Sequence, residues 1–272
     1  MKKILITGSA GYIGQHLVQL LKHNYKVTGI DHRWDAENFP FTKRMDIFNA
    51  DKYTQYDAVV HLAAFVSVGE SMETPSEYYL NNIEGTARLL DNIGSDNIIF
   101  ASTGAAANPT SPYARSKLCA EDIIRQFASE NYTIFRFYNV IGSEYGIEPT
   151  NPDGLMMALR NAVKTGEFNL YGNEYTESED GTALRDYIHV MDVCRTIEKA
   201  IENPTNGIEE LGTGHYTSVQ EMVDIYKKVN NVDFEVVVNP RRPGDLAVSY
   251  CKNVSPLFTK SVTILDMMKE TK

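Results

Sequence analysis

Ile4-Leu5-Ile6-Thr7, followed at once by Gly8-Ser9-Ala10-Gly11-Tyr12-Ile13-Gly14, constrains this chain more than any other feature. An apolar run of strand length meets three glycines spaced three apart, and Ile13, Leu17, Leu20 and Leu21 then share one helical face. Glycine at 8, 11 and 14 permits a tight turn, close backbone approach to a ligand and close helix–strand packing. The helix start offers free N–H groups and a partial positive charge to a pyrophosphate. The spacing is G-x-x-G-x-x-G rather than G-x-G-x-x-G. Asp31 closes the next strand, Val27–Ile30, seventeen residues after Gly14, where a carboxylate can hold ribose hydroxyls. A 2′-phosphate would face that carboxylate, which favours NAD over NADP. Arg33, two residues later, pulls the other way.

Strand-length apolar runs alternate with helical patterns as far as residue 140. Strands are expected at Ile4–Thr7, Val27–Ile30, Ala58–Ala64, Asn97–Thr103 and Thr133–Asn139. Helices are expected at Thr74–Asn92, with Pro75 in its first turn, and at Pro112–Glu130. Asp35–Asn49 reads as more loop than element. Repeated β-then-α units call for an α/β fold with a doubly wound parallel sheet covered by helices on both faces. Beyond about residue 142 the texture changes to shorter elements: helices at Met156–Lys164, Val190–Glu202 and Ser218–Val229, strands at Ile208–Leu211 and Phe234–Val238. The expected organisation is a nucleotide-binding domain over 1–142 with a returning segment at about 184–213. A smaller α/β substrate lobe would take 143–183 and 214–272.

Charge narrows the partners. With 26 Lys+Arg against 36 Asp+Glu, the formal charge is −10, which argues against nucleic acid and against membrane surfaces. No apolar run nears the roughly 18 residues of a spanning helix. Cys119, Cys194 and Cys251 have neither CxxC nor metal-ligand spacing, so a reduced, cytoplasmic protein without a metal is expected. His61 and His189 read as locally hydrogen-bonded residues.

The strand Asn97–Thr103 ends in Ser102-Thr103, and ten residues later comes Tyr113-Ala114-Arg115-Ser116-Lys117. Tyr113 and Lys117, at i and i+4, share a helical face and can enter one cleft. A free tyrosine has a pKa near 10. A nearby ammonium and a positive nicotinamide would favour its phenolate; lowering the pKa by roughly three units is worth about 4 kcal/mol. Such a phenolate can take a hydroxyl proton while the neighbouring carbon gives up hydride, with Thr103 orienting the same hydroxyl.

Together these residues resemble the extended short-chain dehydrogenase/reductase family, and within it the UDP-glucose (UDP-galactose) 4-epimerases. The likeness runs from about residue 3 to 250. It includes Asp46-Ile47, His61-Leu62-Ala63-Ala64, Val68-Gly69-Glu70-Ser71, Tyr78–Asn82, Phe137-Tyr138-Asn139, Tyr171–Tyr175, Glu179–Thr182, Arg185–Val190 and Arg241–Asp245. The resemblance implies a Rossmann-type fold, bound NAD and a UDP-sugar substrate. It places Gly8, Gly11, Tyr12, Ile13, Gly14, Asp31, His32, Arg33, Asp46, Ile47, Leu62, Ala63, Ala64, Asn81 and Tyr138, with Tyr113 and Lys117, around the cofactor. It implies Thr103, Asn139, Tyr171, Arg185, Arg242 and Asp245 for the nucleotide sugar, and a homodimer built on the two long helices.

Departures from the family pattern bear on the substrate. The loop between Thr103 and Tyr113 is about a dozen residues short, Gly154 replaces an asparagine, Ser249 a bulkier residue, and Val66 a lysine. The family's dehydratases and decarboxylases carry an acid just after the Ser/Thr, whereas Gly104-Ala105-Ala106 has none. Reduction of a nucleotide sugar with NAD(P)H turnover is the alternative chemistry. A non-catalytic NAD sensor is disfavoured by the intact Tyr/Lys pair.

Overall fold

The computed structural model describes residues 1–50, 54–128, 131–151, 154–242 and 245–269. Its centre is a seven-stranded parallel sheet of β1 (Lys3–Thr7), β2 (Lys26–Asp31), β3 (Thr42–Arg44), β4 (Ala58–His61), β5 (Asn97–Thr103), β6 (Asn131–Phe137) and β7 (Gly207–Leu211). The spatial order is β7-β6-β5-β4-β1-β2-β3. The winding therefore reverses between β1 and β4, and a crevice opens beyond their carboxyl ends.

Alternate residues of each strand feed opposite faces. Ile4, Ile6 and Val60 pack under α1 (Tyr12–Leu21) with Leu17, Val18 and Leu21. Leu5, Val59 and Phe100 face the opposite layer with Leu89, Ala120 and Ile124. That layer contains α2 (Val68–Glu73), α3 (Pro75–Tyr79), α4 (Gly85–Asn92) and α5 (Pro112–Phe127). A separate apolar cluster joins α6 (Leu155–Thr165), α8 (Val219–Asn230) and the strand pair Glu167–Tyr171/Glu235–Asn239 through Leu159, Phe168, Met222 and Tyr226. Between them runs α7 (Val190–Glu202), whose Val193, Ile197 and Ile201 lie on the α1 side of the sheet.

Several expected elements differ. The single helix expected over Thr74–Asn92 is α3, a π-helical turn at Leu80–Glu84, and α4. Before it, α2 is capped by Ser67 and stops at Thr74, whose backbone is pushed out of helical geometry ahead of Pro75. The stretch read as loop at 35–49 contains the edge strand β3 and two short 3₁₀ turns, too brief to leave a periodic signal. The strand expected over Ala58–Ala64 stops at His61, because Leu62–Ala64 leaves the sheet to cross the glycine turn. The strand expected at Thr133–Asn139 is β6, starting at Asn131. Asn139–Ile141 pairs separately with Tyr187–His189. The helix expected over Pro112–Glu130 is α5, which ends at Phe127 where Ala128 turns extended; 129–130, and Pro243-Gly244 of the Arg241–Asp245 motif, lie outside the described residues.

Candidate active site

The glycine turn lies in the crevice between β1 and β4. Gly8 has φ +71°, and a Cβ there would stand 2.8 Å from the Ala63 nitrogen; at Gly14 it would stand 2.2 Å from the Gly8 carbonyl. Any side chain at either position would force the turn off the Leu62–Ala64 segment or α1 off the turn. Side chains cap α2, α5, α7 and α8 at their starts, but none caps α1, whose first residue follows Gly11. An uncapped helix start beside a glycine cradle suits a pyrophosphate. Asp31, at the end of β2, is 7% exposed; its Oδ2 accepts from the Ala10 N–H and its Oδ1 from the Arg33 N–H, each at 3.1 Å. These features fit a bound dinucleotide.

The surrounding residues converge on the same crevice to different degrees. Tyr12 donates its hydroxyl to the Gly142 carbonyl, and Ile13 packs against the α1-side core. The Leu62 N–H donates to the Thr7 carbonyl and the Ala63 N–H to the Thr7 hydroxyl, fixing the Leu62–Ala64 segment above β1. His32 is exposed, with Nδ1 4.0 Å from Asp31 and its ring edge-on to Phe65. The Asp46 carboxylate caps its own 3₁₀ turn by accepting from the Phe48 N–H, while Ile47 is buried beneath Gly85. Asn81 is half-buried and donates to the Asn82 side-chain oxygen.

Thr103, Tyr113 and Lys117 meet at the carboxyl end of β5. Ser111 caps α5 by accepting from the Ala114 N–H, and Pro112 occupies its first turn, which starts the helix so that Tyr113 faces β5. The Thr103 hydroxyl accepts the Ala105 N–H at 3.3 Å. Burial pushes the Tyr113 phenol up to about 12, and the nearby Thr103 side chain draws it back down. Lys117 is 3% exposed, with Nζ 4.2 Å from the centre of the Phe100 ring. Burial pulls its ammonium down to about 7, opposed by Glu121. Among the protein's own groups, desolvation thus keeps Tyr113 a phenol at neutral pH; the expected phenolate draws also on the positive nicotinamide of bound NAD.

Residues that spacing did not flag support this trio. Glu121, fully buried one turn beyond Lys117, accepts from the Ser102 hydroxyl and takes a two-pronged contact from Arg136 at 2.9 and 2.6 Å. Its place four residues after Lys117, on a buried helix face, was the available signal. Asn82 is also buried: it accepts from the Phe65 N–H and donates to the Phe65 carbonyl and the Ser116 hydroxyl, tying the post-β4 segment to α5. Tyr138 lies so close to Gly104 that a Cβ there would be 2.7 Å from its ring; its phenol is raised chiefly by burial and further by the charge of Glu210.

Apart from Thr103, the residues expected to hold a nucleotide sugar form two pairs and a pendant. Arg185, 13% exposed at its side chain, bonds Asp245 at 2.5 Å and also donates to the Leu184 carbonyl. Ser249 is the strand partner of Arg185. Arg242 lies 3.9 Å over the Tyr171 ring. Asn139 spends its side-chain amide on the Asp186 carbonyl. Gly154 begins α6 with no side-chain cap, and the shortened segment after Thr103 folds into a 3₁₀ turn over Gly104–Ala107.

Known proteins resemble this chain in sequence and fold. The family model for the NAD dependent epimerase/dehydratase family matches residues 4–212. The UDP-glucose 4-epimerase of Haemophilus influenzae is 31% identical, over 91% of this chain and 88% of that protein. A structure of UDP-glucose-4-epimerase from Stenotrophomonas maltophila, with bound NAD and formylated UDP-arabinopyranose, superposes with a TM-score of 0.88 at 26% identity, covering 98% of this chain and 96% of that one. A Bifidobacterium longum UDP-glucose 4-epimerase in complex with NAD⁺ and UDP gives 0.83 at 28% identity with the same coverage. The chain belongs to the NAD-dependent epimerase/dehydratase family.

Proposed function

We propose that this protein is a UDP-sugar 4-epimerase that keeps NAD bound and interconverts UDP-glucose and UDP-galactose, or a related pair, through a transient 4-keto sugar. The observation that carries the proposal is Thr103, at the end of β5 one strand from the nucleotide crevice, close to Tyr113 and the buried Lys117 of α5. Gly8–Gly14, Asp31–Arg33, Asp46-Ile47, Leu62–Ala64, Asn81 and Tyr138 would hold the cofactor. Bound NAD⁺ supplies a hydride acceptor that returns the same hydride, and a positive charge that favours the Tyr113 phenolate.

Tyr113 takes the proton of the 4-hydroxyl, Thr103 holds that oxygen, and Tyr113 returns the proton to the same oxygen after the sugar has turned its other face to the cofactor. Arg185, Arg242 and Asn139 would hold the diphosphate, Tyr171 would frame the base and Asp245 lies beside them on the nucleotide, so the sugar can turn while its anchor stays put. The substrate lobe is assigned to 143–183 and 214–272, and the cofactor domain to 1–142 with 184–213. The small Gly104–Ala107 turn and Ser249 leave the sugar side open. The absence of an acid after Thr103 disfavours dehydration and decarboxylation.

A homodimer through the α2–α5 layer is part of the proposal, supported by the exposed Met72, Tyr79 and Leu80. A cytoplasmic setting is supported by the three unpaired cysteines. Among the described residues, no helix is long and apolar enough to cross a membrane. Incubating the purified protein with UDP-galactose, without added NAD, and separating the sugar nucleotides tests the activity. Appearance of UDP-glucose is the expected result. No conversion by protein that carries NAD would contradict this substrate pair.

A further inference from the structure

Arg33 lies two residues beyond the acidic ribose position, where Arg44 is the strand partner of Asp31, and its surroundings explain how its guanidinium coexists with Asp31. We infer that Asp35 is a specificity-determining residue: by clamping the Arg33 guanidinium it denies that side chain to a 2′-phosphate and makes the site select NAD over NADP. The inference rests on NAD as the cofactor and concerns residues that contact the adenosine end.

The geometry is specific. Arg33 Nε donates to Asp35 Oδ1 at 3.0 Å and Nη2 to Oδ2 at 2.9 Å, a side-on fork of the kind that arginine offers to a phosphate. Nη1 donates to the Ala10 carbonyl in the glycine turn at 3.3 Å. Asp31 accepts the N–H of the same Ala10, so the guanidinium and the ribose carboxylate converge on one turn residue. The guanidinium also lies 5.2 Å from the centre of the Phe39 ring, which limits where it can swing.

Asp35 makes an unusual choice for its position. It begins the 3₁₀ turn Ala36–Asn38, where an aspartate commonly turns its carboxylate to the N–H groups of its own turn. No such cap bond forms; both oxygens turn back to Arg33. The clamp fills the Arg33 guanidinium with the Asp35 carboxylate and leaves the Asp31 carboxylate unmatched by it. An incoming dianion would meet repulsion together with an arginine whose fork is filled.

The test equilibrates the full-length protein with equal NAD⁺ and NADP⁺, removes free nucleotide by gel filtration, and quantifies bound nucleotide after denaturation. Wild type should retain NAD. Asp35→Asn keeps the side chain's shape but removes its charge, and should raise the bound NADP:NAD ratio about tenfold. Adding Arg33→Ala to that variant should abolish the gain, while Arg33→Ala alone should leave the wild-type ratio unchanged. An unaltered ratio in Asp35→Asn, or a gain that survives loss of Arg33, would overturn the clamp. Wild type that retained both nucleotides equally would overturn it as well. Retention of neither would overturn the cofactor assignment and the clamp with it. Nucleotide content of Arg33→Ala, which leaves Asp35 in place, gives a reading even if Asp35→Asn folds poorly.

Discussion

Tyr113 and Lys117 are shifted by the same cause towards their neutral forms. Burial raises the phenol to about 12 and lowers the ammonium to about 7. Tyr113→Phe keeps the ring and its edge-on contact with Tyr78 but removes the proton carrier. It should lower kcat by about 10²–10⁴-fold while NAD content and the melting temperature stay near wild type, as measured by steady-state kinetics and nucleotide extraction. Lys117 makes a separate prediction about pH. Its folded value of about 7 lies below the ordinary 10.5, so between these limits the unfolded chain binds more protons than the folded one. Stability contributed by this group therefore rises with pH from about 7 towards 10.5. Urea denaturation across that window should show a steeper rise for wild type than for Lys117→Met. Equal slopes would contradict the buried, depressed ammonium.

At the scale of elements, the π-helical turn at Leu80–Glu84 and the end of β4 act as one fastening. Thr86 donates its hydroxyl to the Asn82 carbonyl, so its oxygen accepts from His61 Nε2–H. That leaves His61 Nδ1 to accept from Thr7, whose oxygen receives the Ala63 N–H. The chain of bonds runs from the cofactor segment, through β1 and β4, into the π turn, and burial holds His61 neutral. Asn82→Ala would strand the Phe65 N–H and carbonyl and should cost about 2–4 kcal/mol in urea denaturation, with reduced NAD retention. The glycine turn, α1 and the Tyr/Lys face of α5 were legible because each depends on local spacing. The π turn was not: apolar periodicity does not record which backbone hydrogen bond slips by one residue. The partners of Glu121 were hidden too: its i+4 place after Lys117 could be read, but Ser102 and Arg136 come from two other strands.

At the scale of the molecule, the site combines a cofactor crevice set by strand order with a substrate face set by distant segments. Arg185 and Asp245 are sixty residues apart yet form an ion pair, and Tyr171 meets Arg242 across seventy-one. No local pattern announces such pairs; only the family resemblance brought them together on the sequence. The exposed apolar residues of the α2–α5 layer predict association. Light scattering at micromolar concentration should give about twice the chain mass of 30.6 kDa. A value near 30.6 kDa would count against the dimer and leave the catalytic assignment standing.

The most direct test of the central claim follows the hydrogen on the reacting carbon. UDP-galactose carrying deuterium at C4 is converted in ordinary water without added NAD, and the product is read by mass spectrometry and NMR. The account predicts UDP-glucose with deuterium retained at C4, because the hydride leaves and returns while Tyr113 handles only the hydroxyl proton. Product that has lost the label to solvent would show that C4 is inverted by proton exchange and would contradict the mechanism.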